Sequence, residues 1–66
     1  MNNIKKLREA IGMSQSALAD KLGVRPPAVW KWENEVSPPK YENLLAMAKL
    51  FGCSMDHVMG QDTIGA

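Results

Sequence analysis

Sixty-six residues leave room for one domain around one small core, and a hydrophobic fraction of 45% is too high for a disordered chain. A lone cysteine excludes an internal disulfide and points to a reduced, cytoplasmic setting; no apolar run approaches the roughly 18 residues that a membrane span needs. The formal net charge of +1 hides an asymmetry: residues 1–32 carry six cations against two acids, and residues 33–66 carry two cations against five acids. That asymmetry suggests a nucleic-acid-binding face on the first half; the other reading is scattered solubilising charge.

The hydrophobic spacing predicts five short helices and no strand, an all-α fold. The first covers residues 4–11, with Ile4, Leu7 and Ile11 on one face and Gly12 as its stop. Ser14 is placed to cap the second helix, whose buried side is Ala17, Leu18 and Leu22. Gly23 ends it, and Val24 is a single apolar peg in a short turn. The third helix follows almost at once, with Ala28, Val29 and Trp32 as an apolar stripe. Its other side holds Pro27, Trp30, Lys31 and Asn34, a face with a cation, an amide and a large ring but no carboxylate. Ser37-Pro38-Pro39 breaks the chain, and a fourth helix over residues 41–51 turns Tyr41, Leu44, Leu45, Ala48 and Phe51 inward. Gly52 stops it, and Ser54 caps a short fifth helix in which Asp56 suits the N-terminal dipole.

The joint between the second and third helices carries the specific signal. A small residue, Ala19, sits where two steeply crossed helices touch, and Gly23 supplies the positive φ of a tight turn. This is a helix-turn-helix, in which the second of the two helices enters the major groove of DNA.

The ordered set Leu7-Arg8, Ser14-Gln15, Leu18-Ala19, Leu22-Gly23-Val24, Ala28-Val29, Trp32-Glu33, Glu42-Asn43-Leu44-Leu45 and Gly52 through Met59 resembles the lambda-repressor-like DNA-binding domains, the Cro/C1-type or XRE family. The resemblance implies a compact five-helix domain over residues 1–60, with residues 61–66 as a short tail that is either a true end or a cut before a second domain. It implies binding to double-stranded operator DNA as a homodimer, formed in solution or only on DNA. By the same resemblance Gln15 touches a phosphate and braces the third helix. Arg25, Pro26, Pro27 and Lys31 stand where bases are read, Asn34 and Lys40 stand where the backbone is gripped, and Arg8 pairs with Glu33. Lys31 is otherwise a solvated surface cation. Trp30 fits three roles: lying on sugar, filling the groove beside a methyl group, or meeting a protein partner.

This chain departs from the family pattern in four places. Glu35 stands where a glycine commonly follows the third helix, Ala17 removes the acid of a capping box, and Lys40 is a poor N-cap. Pro26 and Pro27 replace a polar pair that often hydrogen-bonds to bases, which restricts those positions to van der Waals contact, for example with thymine methyls. Because a proline disfavours α conformation in the residue before it, Pro26 is expected at the N-cap or just outside the helix and Pro27 at its first position.

Cys53 and His57 lie four apart, but a structural zinc needs four ligands and no second Cys or His exists, so neither metal nor cofactor is expected. One histidine and a small core argue against an enzyme. The function implied is a sequence-specific regulator, of the phage-repressor type, occupying a two-fold operator. The alternatives are an antitoxin or adaptor that binds a protein and uses DNA for autoregulation, and a nonspecific architectural binder, for which a larger positive charge is expected. Met55, Val58, Met59 and Ile64 give the C-terminal end more apolar surface than a short helix can bury, and are the expected dimer contact.

Overall fold

The computed structural model describes residues 1–61. Within them the chain forms five helices, α1 (Ile4–Ala10), α2 (Gln15–Leu22), α3 (Pro26–Glu33), α4 (Tyr41–Phe51) and α5 (Met55–Val58). The main packing is of α2 on α3 and of α4 on α5, with α1 against α3 and α2 against α4.

Local chemistry sets the breaks. The Ser14 hydroxyl accepts from the Ala17 N–H (3.0 Å) and the Ser54 hydroxyl from the His57 N–H (3.0 Å). Each side chain satisfies one of the donors that a helix start leaves open. Gly23 takes φ +71°, which lets the Val24 N–H turn back to the Ala19 carbonyl at 2.9 Å and points the chain into α3. The helix-turn-helix angle rests on that one left-handed residue.

Eight residues close the core: Ile4, Leu18, Ala19, Val29, Trp32, Met47, Ala48 and Val58. Leu7, Leu22, Val24, Ala28, Leu44, Leu50, Phe51, Cys53 and Met55 pack around them. Ile11 is 45% exposed, because α1 ends at Ala10 and Gly12 turns the chain before Ile11 completes a further turn. Tyr41 is 66% exposed at the first position of α4, and Met47 is fully buried instead. The inward stripe is Leu44, Met47, Ala48 and Phe51, at i, i+3, i+4 and i+7. Leu45 is half-buried beside that stripe and does not pack on the core cluster.

Residues 1–3 tie three elements together. The Asn3 N–H donates to the Val58 carbonyl (2.9 Å) and its side chain to the His57 carbonyl (2.7 Å). The Asn2 side chain donates to the Trp32 carbonyl at the end of α3 (2.8 Å) while its oxygen accepts from the Ile4 N–H (3.1 Å).

Candidate nucleic-acid interface

α3 is anchored from its back and its flank. Its back is Val29 and Trp32, both in the core. Its flank is held by a buried ion pair: the Arg8 Nε donates to Glu33 Oε2 at 2.7 Å and Nη2 to Oε1 at 3.2 Å. The side chains are 8% and 4% exposed. Nη1 of the same guanidinium donates to the Met13 carbonyl (2.8 Å), and the Gln15 amide donates to Glu33 Oε1 (2.9 Å). The Arg8–Glu33 pair thus joins α1, the loop after it, the start of α2 and the end of α3. Burial alone pushes the Glu33 carboxyl up; the hydrogen bonds from Arg8 and Gln15 and the charges of Arg8 and Lys5 outweigh it and hold the pKa below the ordinary carboxylate value. The Arg8 guanidinium is raised by its hydrogen bond to Glu33.

The electrostatic result concerns the opposite side of α3. Its one acid is turned inward and neutralised, so the outward face keeps only the positive charges of Lys31 and of Arg25 at its N-cap. Arg25, Pro26, Pro27, Trp30, Lys31 and Asn34 are all exposed, Trp30 by 50%. They form one continuous surface along the helix. Asn34, the C-cap, donates its side-chain N–H to the Trp30 carbonyl at 2.9 Å and so helps to close the helix it follows. Lys40 is exposed at the N-cap of α4, where its side chain makes no cap bond. Gln15 stands half-buried at the first position of α2, between α3 and solvent.

The helix starts earlier than the sequence suggests. Arg25 is the N-cap, with φ −87° and ψ 149°, and both Pro26 and Pro27 lie within α3. The preference of a pre-proline residue for extended backbone is overridden here. The first two N–H positions of a helix have no internal acceptor, so two missing donors cost nothing, and the Ala28 N–H closes the first turn on the Arg25 carbonyl at 2.9 Å.

The other end of α3 also has an unusual residue. Glu35 adopts φ +59°, the left-handed conformation that a glycine would take, and locks the helix end with bonds from its own N–H to Trp32 O (3.2 Å) and from Val36 N–H to Lys31 O (2.9 Å). Its carboxylate accepts from the Asn2 N–H at 3.0 Å and lies 3.5 Å from the terminal amine of Met1.

The expected dimer-contact residues divide. Val58 is fully buried and Met55 packs on the core, so α5 spends most of its apolar surface inside the domain. Met59 is half-buried and lines an open groove with Met1, Trp32, Pro38 and Pro39. Ile64 lies outside the described residues. Asn2 and Asn3, which anchor α3 and α5, have no periodic signal, although an Asn two residues before a helical run is a recognisable capping sign. Among the described residues no group of three His, Cys, Asp or Glu side chains could hold a metal ion, and no helix is long and apolar enough to cross a membrane.

Helices crossing through a glycine turn, with the second presenting a cationic outer face over a buried brace, are the defining arrangement of a helix-turn-helix module. The chain belongs to the helix-turn-helix family of the Cro/C1 type: the family model matches residues 4–58. This is a class of transcriptional regulators and not of enzymes. The chain is 36% identical over 59 residues to repressor protein C2 of Salmonella phage P22, a match covering 89% of this chain and 27% of the relative. It is 32% identical over 57 residues to the uncharacterised HTH-type transcriptional regulator YqaE of Bacillus subtilis strain 168, covering 86% and 49%. The chain thus spans between about a quarter and a half of the curated relatives it matches. The fold coincides with a crystal structure of the P22 c2 repressor protein in complex with a synthetic operator, at TM-score 0.82 and 35% identity, over 91% of each chain.

Proposed function

We propose that this chain is a sequence-specific DNA-binding regulator of transcription, acting as a repressor by occupying a two-fold operator in the cytoplasm, at the nucleoid. The observation that carries this is the outward face of α3: exposed, cationic, free of acid, and fixed from behind by the Arg8–Glu33–Gln15 tie. The P22 c2 repressor, similar in fold and sequence, is seen with operator DNA, which supports the same use here.

In this proposal α3 lies in the major groove. Arg25, Pro26, Pro27, Trp30 and Lys31 face base edges. Gln15, Asn34 and Lys40 hold the sugar-phosphate backbone, Gln15 from the start of α2 and Asn34 with its second amide N–H. Lys40 is aided by the first-turn N–H groups of α4, which no side chain caps. Residues 1–60 act as the DNA-binding domain and residues 61–66 as a tail. A weak isologous contact near Met55 and Met59 pairs two copies on DNA with their recognition helices about 34 Å apart.

The test is selection of bound sites from a random duplex pool. The expected product is an inverted repeat whose half-sites are centred about 10 base pairs apart. A pool that shows no enrichment after repeated rounds overturns the proposal. Enrichment of a single half-site, with one monomer bound by sedimentation, overturns the two-fold part alone.

A further inference from the structure

We infer that Asn2 and Asn3 are positioning residues for DNA recognition: they lock the end of α3 to the end of α5 and so fix the half-site spacing that a pair of domains accepts. The inference rests on the two-fold binding proposed above, with α3 in the major groove and the contact between copies beside α5.

The last carbonyls of a helix have no partner within it. α3 and α5 bring such carbonyls to one place, and residues 2 and 3 donate to both. The Asn2 side chain donates to the Trp32 carbonyl at 2.8 Å, and the Asn2 N–H to the Glu35 carboxylate just past the helix at 3.0 Å. The Asn3 side chain donates to the His57 carbonyl at 2.7 Å, and the Asn3 N–H to the Val58 carbonyl at 2.9 Å. Two adjacent residues are thus a common cap for two helix ends remote in sequence.

The chemistry and the fit are both specific. The Asn2 amide works at both ends: its oxygen accepts from the Ile4 N–H at 3.1 Å while its nitrogen reaches α3, a pairing that a carboxylate cannot make. Gly60 follows α5, and a Cβ added there would collide with the Met1 carbonyl and stand 3.2 Å from the Asn2 Cα. The main packing sets α3 on α1 and α2, and α5 on α4, so α3 and α5 share no broad face. Residues 2 and 3 are the direct tie between them.

In a two-fold complex α5 stands at the contact with the other copy and α3 lies on DNA, so the angle between them sets the distance between recognition helices. One base pair more or less between half-sites moves those helices by about 3.4 Å and turns one against the other by about 35°. A domain that keeps its contact with the other copy follows the shift by moving α3 relative to α5, which breaks the bonds of residues 2 and 3. Bonds that are intact both in the free protein and on the correct spacing add nothing to affinity there. They act against the wrong spacing alone, which makes them a specificity device. Each such bond, when broken, costs about fivefold in affinity.

The experiment uses the full chain and duplexes built from the half-site obtained by selection. These are the selected spacing, the same site with one base pair inserted or removed at its centre, and a single half-site. Binding is measured by gel shift at fixed salt for the wild type, Asn2→Ser and Asn3→Ser. Serine keeps an oxygen acceptor at position 2 and leaves the main-chain bonds in place, but its shorter side chain does not span to the Trp32 or His57 carbonyl. Both variants should retain wild-type affinity for the half-site and for the selected spacing. Their preference for that spacing over the altered ones should fall about fivefold. Thermal melts establish which variants are folded at the assay temperature; Asn3→Ser, which retains the bond to Val58, carries the test alone if Asn2→Ser is not. A wild-type ratio between spacings in the folded variants overturns the inference and leaves the two-fold regulator standing. So does an equal loss on the half-site and on every two-fold site, the mark of a structural role alone. A wild type that binds all three spacings alike overturns the two-fold reading and the inference with it. No preference for any duplex overturns the regulator proposal as well.

Discussion

Glu33→Ala is the most informative single change in this domain. It removes the acceptor of three hydrogen bonds, two from Arg8 and one from Gln15, in a place where the Arg8 side chain is only 8% exposed. What remains is a guanidinium with the Met13 carbonyl as its one hydrogen-bond acceptor, and a glutamine amide with none in this tie. Removing one partner of a buried pair costs about 3–5 kcal/mol. The low end, about 3 kcal/mol, applies here, because in so small a domain water reaches the stranded cation by a short path. A stability of about 0.1 kcal/mol per residue gives a total of only some 6–7 kcal/mol, so the variant loses near half. At about 4–8 °C per kcal/mol the midpoint should fall by roughly 12–24 °C. Thermal melts followed by far-ultraviolet circular dichroism measure it directly. The double variant Arg8→Met, Glu33→Leu removes both charges and should recover most of the loss. A midpoint for Glu33→Ala within about 2 °C of wild type would refute the buried-tie argument. So would a double variant no more stable than the single one, since the cost could not then come from an unpaired cation.

The same carboxylate sets the acid limit. Its folded-state pKa is depressed, so the stability it contributes is complete above the ordinary carboxylate value and drains away as pH falls through the folded value. Denaturant midpoints should hold from neutral pH to about 5 and decline below it; Glu33→Gln should flatten that decline, and an unaltered acid limb would contradict this. At Glu35 the left-handed backbone separates two effects: Glu35→Ala keeps the strained φ and loses the ties to residues 1 and 2, costing about 1 kcal/mol, while Glu35→Gly relieves the strain and should return to within about 0.5 kcal/mol of wild type. Urea unfolding of the pair tests it, and equal stability of the two variants would show that φ is not the issue. Arg25→Ala and Lys31→Ala are surface changes that should leave the melting point unmoved and weaken operator binding by about 1–3 kcal/mol each. Equal losses on operator and random DNA, with a shallower salt slope, would make them backbone clamps instead of base readers.

Where the sequence announces structure, it does so through strong local signals. Ser14, Gly23, Ser54 and Gly52 mark their helix ends because a hydroxyl cap and a left-handed glycine are local chemistry that needs no tertiary context. The buried face of α3 follows from spacing for the same reason; that of α2 does at Leu18 and Leu22, but Ala17 lies outside the core cluster and Ala19 is buried in its stead. α4 carries a weaker signal. Leu44, Leu45, Ala46, Met47, Ala48, Leu50 and Phe51 make it apolar nearly all round, so periodicity alone does not choose a face. A stripe phased on Tyr41 places a first-turn surface residue inside and leaves out Met47, which is fully buried. α3 starts one residue before the position that the pre-proline rule predicts, because that rule describes a free chain, whereas the turn after Gly23 dictates where Pro26 goes. The surface patch expected at the C-terminal end fails at Val58 because even a helix of four residues carries Val58 into the core, with Met55 packed against it. The Arg8–Glu33 pair, 25 residues apart in sequence, has no periodic trace. Only resemblance to other chains pointed to it, since long-range polar contacts are set by tertiary geometry.

Trp30 and Trp32 sit on opposite sides of one helix, 50% and 5% exposed. They are the two tryptophans of the chain. Excited at the indole band, the molecule emits from one chromophore in contact with water and one that belongs to the core cluster. A small aqueous quencher such as iodide reaches the first and spares the second. Loss of the quenchable fraction on adding a duplex therefore reports occupation of the outer face, and a red shift of the unquenchable fraction reports loosening of the interior. Both signals come from the native chain, two residues apart, so ligand engagement and global unfolding can be followed in one cuvette without a label.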